Sequence, residues 1–277
     1  MRTLFIQENG RHDKNRKYRE CFAWQRAFQT IGHTCDVWGA GHSNYEAVPD
    51  FDSYDVIHNL ENYDETGWLP DLSKVKARKF LHSVDAHVRG LDPFLEEYKR
   101  GDYEVILQAI PDFVEANSIW FPVSFDHTLV KPMSIEKTND LGFCGNINNR
   151  GNLINILDEA YGIKKDIFLI GDDMVSAINS YKIHFNCNVG VDINWRNLET
   201  IGCGTALLTN YHPTYDRYGF MHGENCVFYT SIPEMLKGVE YLLNNPEDRE
   251  RIAKNGLELS QRHTYLERAK YFNEVIL

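Results

Sequence analysis

The sequence predicts an α/β protein with parallel sheets and helices on both faces of each sheet. Short apolar segments alternate with segments of helical periodicity along the chain, which is the pattern of parallel strands joined by helices. A polar, proline-containing stretch at residues 130–140, VKPMSIEKTND, interrupts this pattern, which then starts again. A chain of 277 residues is long enough for two domains that each bury a core. We therefore expect one domain over residues 1–133 and a second over residues 140–264.

The first half starts with a strand, a loop, a helix and a second strand. Thr3–Gln7 form an apolar strand and Thr34–Trp38 the next one, and apolar positions between them are spaced as on one helix face that ends at Gly32. Further strands are predicted at residues 54–59, 79–83, 105–109 and 119–121. This order indicates an α/β domain with a parallel sheet.

The loop after the first strand is a candidate binding loop. Ligands of open α/β sheets bind at the carboxyl ends of the strands, and Glu8, Asn9 and Gly10 follow the first strand directly. The alternative is an ordinary solvated loop. The sequence alone leaves both interpretations open.

A second candidate group is the segment His82-Ser-Val-Asp85-Ala-His87, at the end of a predicted strand. If the strand persists, the alternation of side chains directs Asp85 and His87 to the same side. Three polar residues this close suggest a metal site, although no further cluster is spaced to complete it. The alternatives are hydrogen bonds to loop backbone, or a pair that orients or deprotonates a hydroxyl group.

The second half repeats the order of strand, loop and helix. Leu141–Ile147 form its first strand and Leu153–Tyr161 its first helix. Gly145 and Asn146 end the strand, and Arg150 lies in the loop just before the helix. The sequence leaves open whether this arginine contacts a phosphate group or is simply solvated.

Two adjacent aspartates follow the next predicted strand, residues 166–171. The pair Asp172 and Asp173 invites a metal–nucleotide interpretation. An acidic N-cap for the helix through residues 175–178 explains the pair without a metal, and we prefer that explanation.

The most informative stretch is residues 183–210, which predict a strand, a polar turn, a helix from Trp195 and a strand at 206–209. Arg196 and Glu199 are three residues apart and therefore share a face of this helix. Free N–H groups at a helix start, together with a guanidinium and a carboxylate, suit a ligand that carries phosphates and sugar hydroxyls. A nucleotide sugar is such a ligand. The alternative is a surface ion pair, worth only ~0.3 kcal/mol.

The C-terminal part is predicted to be mostly helical. Residues 226–229 form a strand, and Ser231–Glu234 and Thr264–Glu267 are capping boxes that begin helices. Asn245 and Pro246 begin another helix between them.

Composition excludes several classes of protein. The chain is 43% hydrophobic and 25% charged, as in ordinary globular proteins, and its apolar runs are shorter than the ~20 residues of a membrane span. The start lacks the apolar region of a signal peptide, and six scattered cysteines fit buried reduced thiols, so we expect a cytoplasmic protein. A net charge of −11 makes nucleic acid an unlikely partner.

Four motifs carry a family resemblance. The segments WRNLETIGCGTALLTN, GENCVFY, LLNNPEDRERIAKNG and RHTYLER, in this order, resemble the C-terminal half of the CgeB-type, spore-maturation glycosyltransferases. These enzymes belong to the group 1 glycosyltransferases of the GT-B fold. The resemblance extends from about Leu141 to the C-terminus, and more loosely to SVDAHVRG in the first half. It implies two Rossmann-like α/β domains that face each other across a cleft, with a last helix, about residues 265–277, that crosses back to the first domain.

The resemblance also implies a function. A sugar would be moved from a nucleotide-sugar donor to a hydroxyl acceptor, with retention of configuration and with neither a metal nor another cofactor. The implied donor-binding residues are Gly145, Asn146, Arg150, Asp192, Arg196 and Glu199, the implied catalytic residues are Asp85 and His87, and the loop Glu8, Asn9 and Gly10 would face the acceptor.

One position departs from the family pattern. Glu199 aligns with the second glutamate of the Glu-x7-Glu motif of group 1 enzymes, which holds the nucleotide ribose. The first position of the motif is Val191, and the nearest acid is Asp192. This departure leaves the donor sugar and the retention of configuration open.

Two alternatives from other functional classes remain. One is a sugar-nucleotide-binding protein of the same fold that lacks activity. The other is a metal-dependent hydrolase that uses His82, Asp85 and His87.

Overall fold

The computed structural model describes residues 1–9, 13–61 and 67–277, and the chain divides into two compact units. Unit 1 consists of Met1–Val123 together with Tyr265–Leu277, and unit 2 of Ser124–Thr264. The division at Val123 lies before the polar stretch 130–140. The last helical segment of the chain is part of unit 1.

Unit 1 contains a six-stranded sheet in which all pairs are parallel. Its strands, in chain order, are β1 (Arg2–Ile6), β2 (Thr34–Trp38), β3 (Val56–Leu60), β4 (Arg78–Ser83), β5 (Val105–Gln108) and β6 (Ser118–Trp120). They lie in the order β2-β1-β3-β4-β5-β6. The chain leaves β1 on one side to form β2 and returns on the other side to form β3. The carboxyl ends of β1 and β3 therefore flank the switch point of this sheet, where open α/β sheets bind ligands.

Helices cover both faces of this sheet. They are α1 (Glu20–Thr30), α2 (Ala86–Arg89), α3 (Asp92–Gly101) and α10 (Tyr265–Tyr271), with 3-10 turns at Asp13–Tyr18, Phe51–Ser53 and Pro111–Phe113 and a π-helical end at Phe272–Ile276. Trp24 and Phe28 of α1 pack against Tyr265 and Phe272 on one face, with ring centroids 5.0 and 5.8 Å apart. The opposite face is covered by α3 through the fully buried Phe94. Unit 1 thus has two apolar layers, one on each side of its sheet.

Unit 2 contains a five-stranded parallel sheet. Its strands are β7 (Asn139–Gly145), β8 (Lys164–Ile167), β9 (Tyr181–Phe185), β10 (Ala206–Asn210) and β11 (Val227–Tyr229). The order is β11-β10-β9-β7-β8, so the chain reverses direction across the sheet between β8 and β9. The switch point of unit 2 therefore lies at the carboxyl ends of β7 and β9.

The helices of unit 2 are α4 (Gly151–Tyr161), α5 (Gly171–Ser180), α6 (Trp195–Gly202), α7 (Thr214–Tyr218), α8 (Ile232–Asn244) and α9 (Pro246–Ser260), followed by a 3-10 turn at Gln261–His263. Ser231 caps α8, as its side chain accepts a hydrogen bond from the N–H of Glu234. The helix α6 ends at Gly202, and Gly204 then adopts a φ of +66°, a left-handed conformation that favours glycine. This conformation explains the second glycine of the Gly-Cys-Gly motif that ends the helix.

The predicted α/β fold with parallel sheets is confirmed, and three local predictions are corrected. The strand predicted at residues 166–171 is wrong, because β8 ends at Ile167, Phe168 has a φ of +58°, and Gly171 already begins α5. Asp172 and Asp173 lie in the first turn of α5, whereas the N-cap is Ile170. The strand through Asp85 does not persist, because β4 ends at Ser83.

Candidate functional site

Arg150 links the two loops at the switch point of unit 2. It is the N-cap residue of α4, directly after the turn that follows β7. Its Nε donates to the carbonyl oxygen of Cys187 after β9 at 2.6 Å, and its Nη1 donates to that of Asn146 at 3.1 Å. The guanidinium Nη2 makes no hydrogen bond to any described residue. Arg150 therefore fixes the carboxyl ends of two neighbouring strands and keeps one donor group for a ligand.

The turn between β7 and α4 is stabilised by its own side chains. Gly145 is the last residue of β7, and Asn146 is exposed, with its Oδ1 accepting a hydrogen bond from the N–H of Asn148 at 2.9 Å. This contact closes a compact turn. Gly145, Asn146 and Arg150, all predicted as donor-binding residues, thus lie together at one strand end.

Arg196 and Glu199 form an ion pair on α6. Arg196 Nη1 lies 2.7 Å from Glu199 Oε2, and the two side chains are 19% and 18% exposed. Burial has the largest single effect and lowers the pKa of the guanidinium, but Glu199 together with Cys144, Cys203 and Tyr181 outweighs burial, so the pKa of Arg196 is raised. The other oxygen of Glu199 accepts no hydrogen bond from the described residues. Arg196 therefore stays charged, and Glu199 offers one carboxylate oxygen at a partly open surface.

The charges of Arg196 and Glu199 affect the ionisation of a residue at the end of β7. Burial raises the pKa of the Cys144 thiol to about 11, while Arg196 lowers this pKa and Glu199 raises it. Cys144 directly precedes Gly145. The charges on α6 therefore influence the end of β7, the same strand end that Arg150 contacts.

His184 ties α6 to β7 through buried hydrogen bonds. Its Nε2 accepts from the N–H of Cys144 at 3.1 Å, so its Nδ1 carries the proton and faces Thr200 Oγ1 at 2.5 Å. The Thr200 hydroxyl in turn donates to the carbonyl oxygen of Arg196 at 2.6 Å. Burial lowers the pKa of His184 well below its ordinary value, so the ring is neutral at neutral pH. This chain of contacts fixes the backbone of Arg196 relative to the sheet.

A buried asparagine network holds the loop between β9 and α6. Asn186, Asn188, Asn197 and Tyr215 are each less than 5% exposed. The Tyr215 hydroxyl accepts from Asn188 Nδ2 at 2.5 Å and donates to Asn197 Oδ1 at 2.8 Å, and Asn186 Nδ2 donates to the same Asn197 oxygen at 2.9 Å. Buried networks of this kind rigidify the segments that they join. The sequence reasoning missed this network, although four asparagines within twelve residues were visible in the sequence.

Asp192, the acid nearest to the position of the missing glutamate, lies in this same loop. Both Asp192 and Val191 are partly buried, and the loop leads directly into α6. The predicted donor-binding residues therefore belong to the two loops at the switch point and to the helices that follow them.

The predicted catalytic residues of unit 1 do not share one side of a strand. Asp85 is the N-cap residue of the short helix α2, whose N–H groups at Val88 and Arg89 bond to the Asp85 carbonyl oxygen, and His87 lies within that helix. Residues two apart on a helix point in different directions. The Asp85 carboxylate is partly exposed and makes no hydrogen bond to the described residues.

His82 is the next-to-last residue of β4, and its side chain lies in the core of unit 1. It is 5% exposed, its Nε2 lies 3.0 Å from Nδ1 of the buried His58, and burial lowers its pKa to about 3. Trp24 packs against its ring at 5.5 Å. Across the part of the chain that the structure describes, no group of three His, Cys, Asp or Glu residues is arranged to hold a metal ion. His82 is therefore a core residue and does not join Asp85 and His87.

The loop after β1 is held by backbone contacts. Asn9 donates from Nδ2 to the carbonyl oxygen of Gly41 at 2.9 Å, and Arg19 donates to the carbonyl oxygen of Glu8 at 2.7 Å. Gly10 lies outside the described residues. Glu8 is exposed at the carboxyl edge of the unit 1 sheet.

Glu61 is a residue that the sequence reasoning missed. It follows β3 directly and adopts a φ of +60°, which is uncommon for a residue with a side chain. Its Oε1 accepts from the N–H groups of Val84 and Asp85 at 3.0 and 2.5 Å. Burial, with the nearby Asp85 charge, raises the pKa of Glu61 to about 8. Nothing in the local sequence distinguishes this glutamate from a surface residue.

Comparison with known proteins finds a family match in the C-terminal part of the chain. Residues 142–274 match a protein family described as glycosyl transferase-like. This segment contains every predicted donor-binding residue. A search of curated proteins found no match.

Solved structures of similar fold cover nearly the whole chain. Sucrose-phosphate synthase from Thermosynechococcus elongatus superimposes with a TM-score of 0.68 at 10% identity, covering 99% of this chain and 98% of its own. HepE from Anabaena, in complex with UDP and glucose, gives a TM-score of 0.66 at 12% identity, covering 100% and 99%. The T4 phage protein BGT, in complex with UDP and Mn²⁺, gives 0.67 at 14% identity, covering 100% and 99%.

The fold is GT-B. At these identities the likeness establishes the fold alone, and the chemistry has to be argued from the residues. In this GT-B chain the family match covers Arg150 and Arg196, the two arginines of the candidate site. Among the described residues, the helices lack the length and apolar character that crossing a membrane requires.

Proposed function

We propose that this chain is a glycosyltransferase that moves a sugar from a uridine diphosphate sugar to a hydroxyl acceptor. The observation that carries the proposal is the placement of Arg150, Arg196 and Glu199 on two helices that begin at the switch point of unit 2. The family match over residues 142–274 and the GT-B fold support the same activity.

The chemistry of sugar transfer explains these residue types. The departing nucleoside diphosphate develops negative charge, which cations and helix N–H groups stabilise. Arg150 Nη2 and the Arg196 guanidinium are the proposed diphosphate contacts. The open oxygen of Glu199 is the proposed acceptor of hydrogen bonds from the ribose hydroxyls, and Gly145, Asn146 and Asp192 complete the donor site.

The choice of uridine rests on the solved structures. HepE and T4 BGT were both solved with UDP, and HepE also with UDP-glucose. We propose UDP-glucose as the first donor to test. Asp85 and His87 are proposed to orient or deprotonate the acceptor hydroxyl in unit 1, with the loop at Glu8 beside the acceptor. The charge of −11 argues against nucleic acid as that acceptor.

Three finer points belong to the proposal. Transfer proceeds with retention and without a required metal ion, the chain is of the CgeB type, and it works in the cytoplasm. The resemblance of the C-terminal motifs supports the first two points, and six free cysteines support the third. The anomeric configuration of the product, read by proton NMR, tests retention.

Thermal shift with a nucleotide panel tests the donor assignment. A ligand that binds only the native state stabilises it by ~2.7 kcal/mol at a hundred times its dissociation constant. We expect UDP and UDP-glucose to raise the melting temperature more than ADP, GDP and UMP do. Equal shifts for all four nucleotides would contradict a uridine diphosphate site.

A protein of this fold that binds nucleotide sugars without transferring them is the second candidate. Val191, where group 1 enzymes have a glutamate, favours it. Release of UDP from UDP-glucose separates the two candidates. Binding without any release, with water and a panel of sugars as acceptors, would establish the second one.

A further inference from the structure

Glu61 lies at the switch point of unit 1. The strand order places β3 between β1 and β4, so the residue after β3 lies beside the residues that follow both neighbouring strands. Asp85 is one of these residues. The Glu61 side chain bridges from the end of β3 to the turn after β4.

The two hydrogen bonds to Glu61 define where its proton lies. Both the Val84 and the Asp85 N–H groups donate to Oε1, so a proton on this carboxyl group has to be on Oε2. The raised pKa of Glu61 means that the protonated form predominates at neutral pH. In that form Glu61 holds the turn without placing a second negative charge beside Asp85.

The acidic groups around Glu61 have different partners. Glu20, at the start of α1, is bonded by Gln7 Nε2 at 2.9 Å and lies 3.7 Å from Arg19 Nη1. The Asp85 carboxylate has no such contact with the described residues. Of these two acids, only Asp85 has its backbone N–H bonded to Glu61 while its own side chain stays available.

We propose that Glu61 is a positioning residue for Asp85, holding the turn of Val84 and Asp85 so that the Asp85 carboxylate stays at the edge of the sheet for an acceptor hydroxyl. This inference rests on the proposed function. The positive φ of Glu61 contributes to this positioning, because it directs the side chain from the end of β3 to the turn after β4. Glu61 does not touch the substrate and acts only through Asp85.

Two variants of equal size separate the roles of the side chain. Glu61→Gln keeps an acceptor oxygen for the two N–H groups, whereas Glu61→Met fills the same space without one. Release of UDP from UDP-glucose measures turnover, with water as the acceptor. We expect Glu61→Met to lower kcat by ~10-fold or more and Glu61→Gln to stay within ~3-fold of the wild type. The dissociation constant for UDP should change by less than ~2-fold in both variants, because unit 2 holds the nucleotide.

A double-mutant cycle shows whether Glu61 acts through Asp85. In an Asp85→Ala background, Glu61→Met should lower kcat by less than ~2-fold further, since the group that it positions is already gone. Amide exchange gives an independent measurement, because the N–H groups of Val84 and Asp85 should be protected in wild type and Glu61→Gln but not in Glu61→Met. Glu104→Ala is the control: this acid precedes β5, at the amino edge of the same sheet, and pairs with Arg78.

The outcomes are distinguishable. If the wild-type chain releases no UDP with water or with any sugar of the panel as acceptor, the proposed function fails. If the wild-type chain does release UDP, two results would overturn the positioning role while the proposed function stands. One is that Glu61→Met lowers kcat by the same factor in the wild-type and the Asp85→Ala background. The other is that Glu61→Gln lowers kcat as much as Glu61→Met does.

Discussion

Replacing Glu199 by alanine tests the central assignment of unit 2. In the free protein the carboxylate uses one oxygen for Arg196 and leaves the other available. If that oxygen accepts hydrogen bonds from the ribose, the variant loses a charge-assisted interaction worth ~1.5–3 kcal/mol. The dissociation constant for UDP should therefore rise by roughly ten- to hundredfold.

The same substitution should leave the protein folded. The ion pair joins residues three apart on α6, and its side chains are 19% and 18% exposed. Because the pair is mostly buried, removing Glu199 leaves the Arg196 guanidinium without its partner, which can cost ~3–5 kcal/mol of stability. Asn197, Thr200 and His184, which hold the helix to the sheet, are not altered. We therefore expect a lower melting temperature together with a large loss of UDP affinity, and binding is measured well below that melting temperature.

Isothermal titration calorimetry with UDP measures the effect, and Arg251→Ala is a matched control. Arg251 also belongs to an ion pair of residues three apart in unit 2, with Asp248 at 3.1 Å on α9. Its loss should leave UDP binding unchanged. Glu199→Gln should fall between wild type and Glu199→Ala, because it keeps an acceptor oxygen without the charge. If folded Glu199→Ala binds UDP within twofold of wild type, α6 does not hold the nucleotide and the donor site is misassigned.

Further predictions concern the acceptor side, the metal, stability and pH. Asp85→Ala and His87→Ala should bind UDP as the wild type does but lose turnover by ~10²-fold, and full turnover in either folded variant would contradict its catalytic role. EDTA should leave UDP release intact, and a loss of release that manganese restores would refute metal independence. Tyr215→Phe removes the hydroxyl at the centre of the asparagine network and should cost ~1–3 kcal/mol of unfolding free energy in urea titrations, and an unchanged midpoint would count against the network. Because the pKa of Glu61 is raised to about 8 in the folded chain, its contribution to stability is present at acidic pH and is lost as pH rises toward 8. The stability of Glu61→Gln relative to wild type should therefore increase by up to ~1.4 kcal/mol per pH unit between pH ~5 and ~8, and a difference that is flat with pH would refute the raised pKa.

Much of the local structure follows from the sequence. The strand Thr34–Trp38 has the predicted bounds, and α6 begins at Trp195 as its periodicity predicts. The pairing of Arg196 with Glu199 also follows from spacing, since residues three apart on a helix are neighbours. These features depend on contacts within a few residues, which the order of side chains determines directly.

Other features were decided by contacts between distant segments. Asp85 and His87 would point to the same side only on a continuing strand. However, β4 ends at Ser83, and Glu61, more than twenty residues earlier, accepts hydrogen bonds from the N–H groups of the turn. The burial of His82 against His58 likewise depends on the pairing of β3 with β4. Backbone propensity at residues 84–87 carries no information about these partners.

The sequence by itself determined the alternation of strands and helices and the residues that lie at strand ends. Only the tertiary structure decided which strand ends are neighbours, because the order β11-β10-β9-β7-β8 brings the loop of Arg150 to that of Cys187. The asparagine network and the raised pKa of Glu61 arise in the same way, since burial and hydrogen bonding depend on groups that the chain brings together only when it folds.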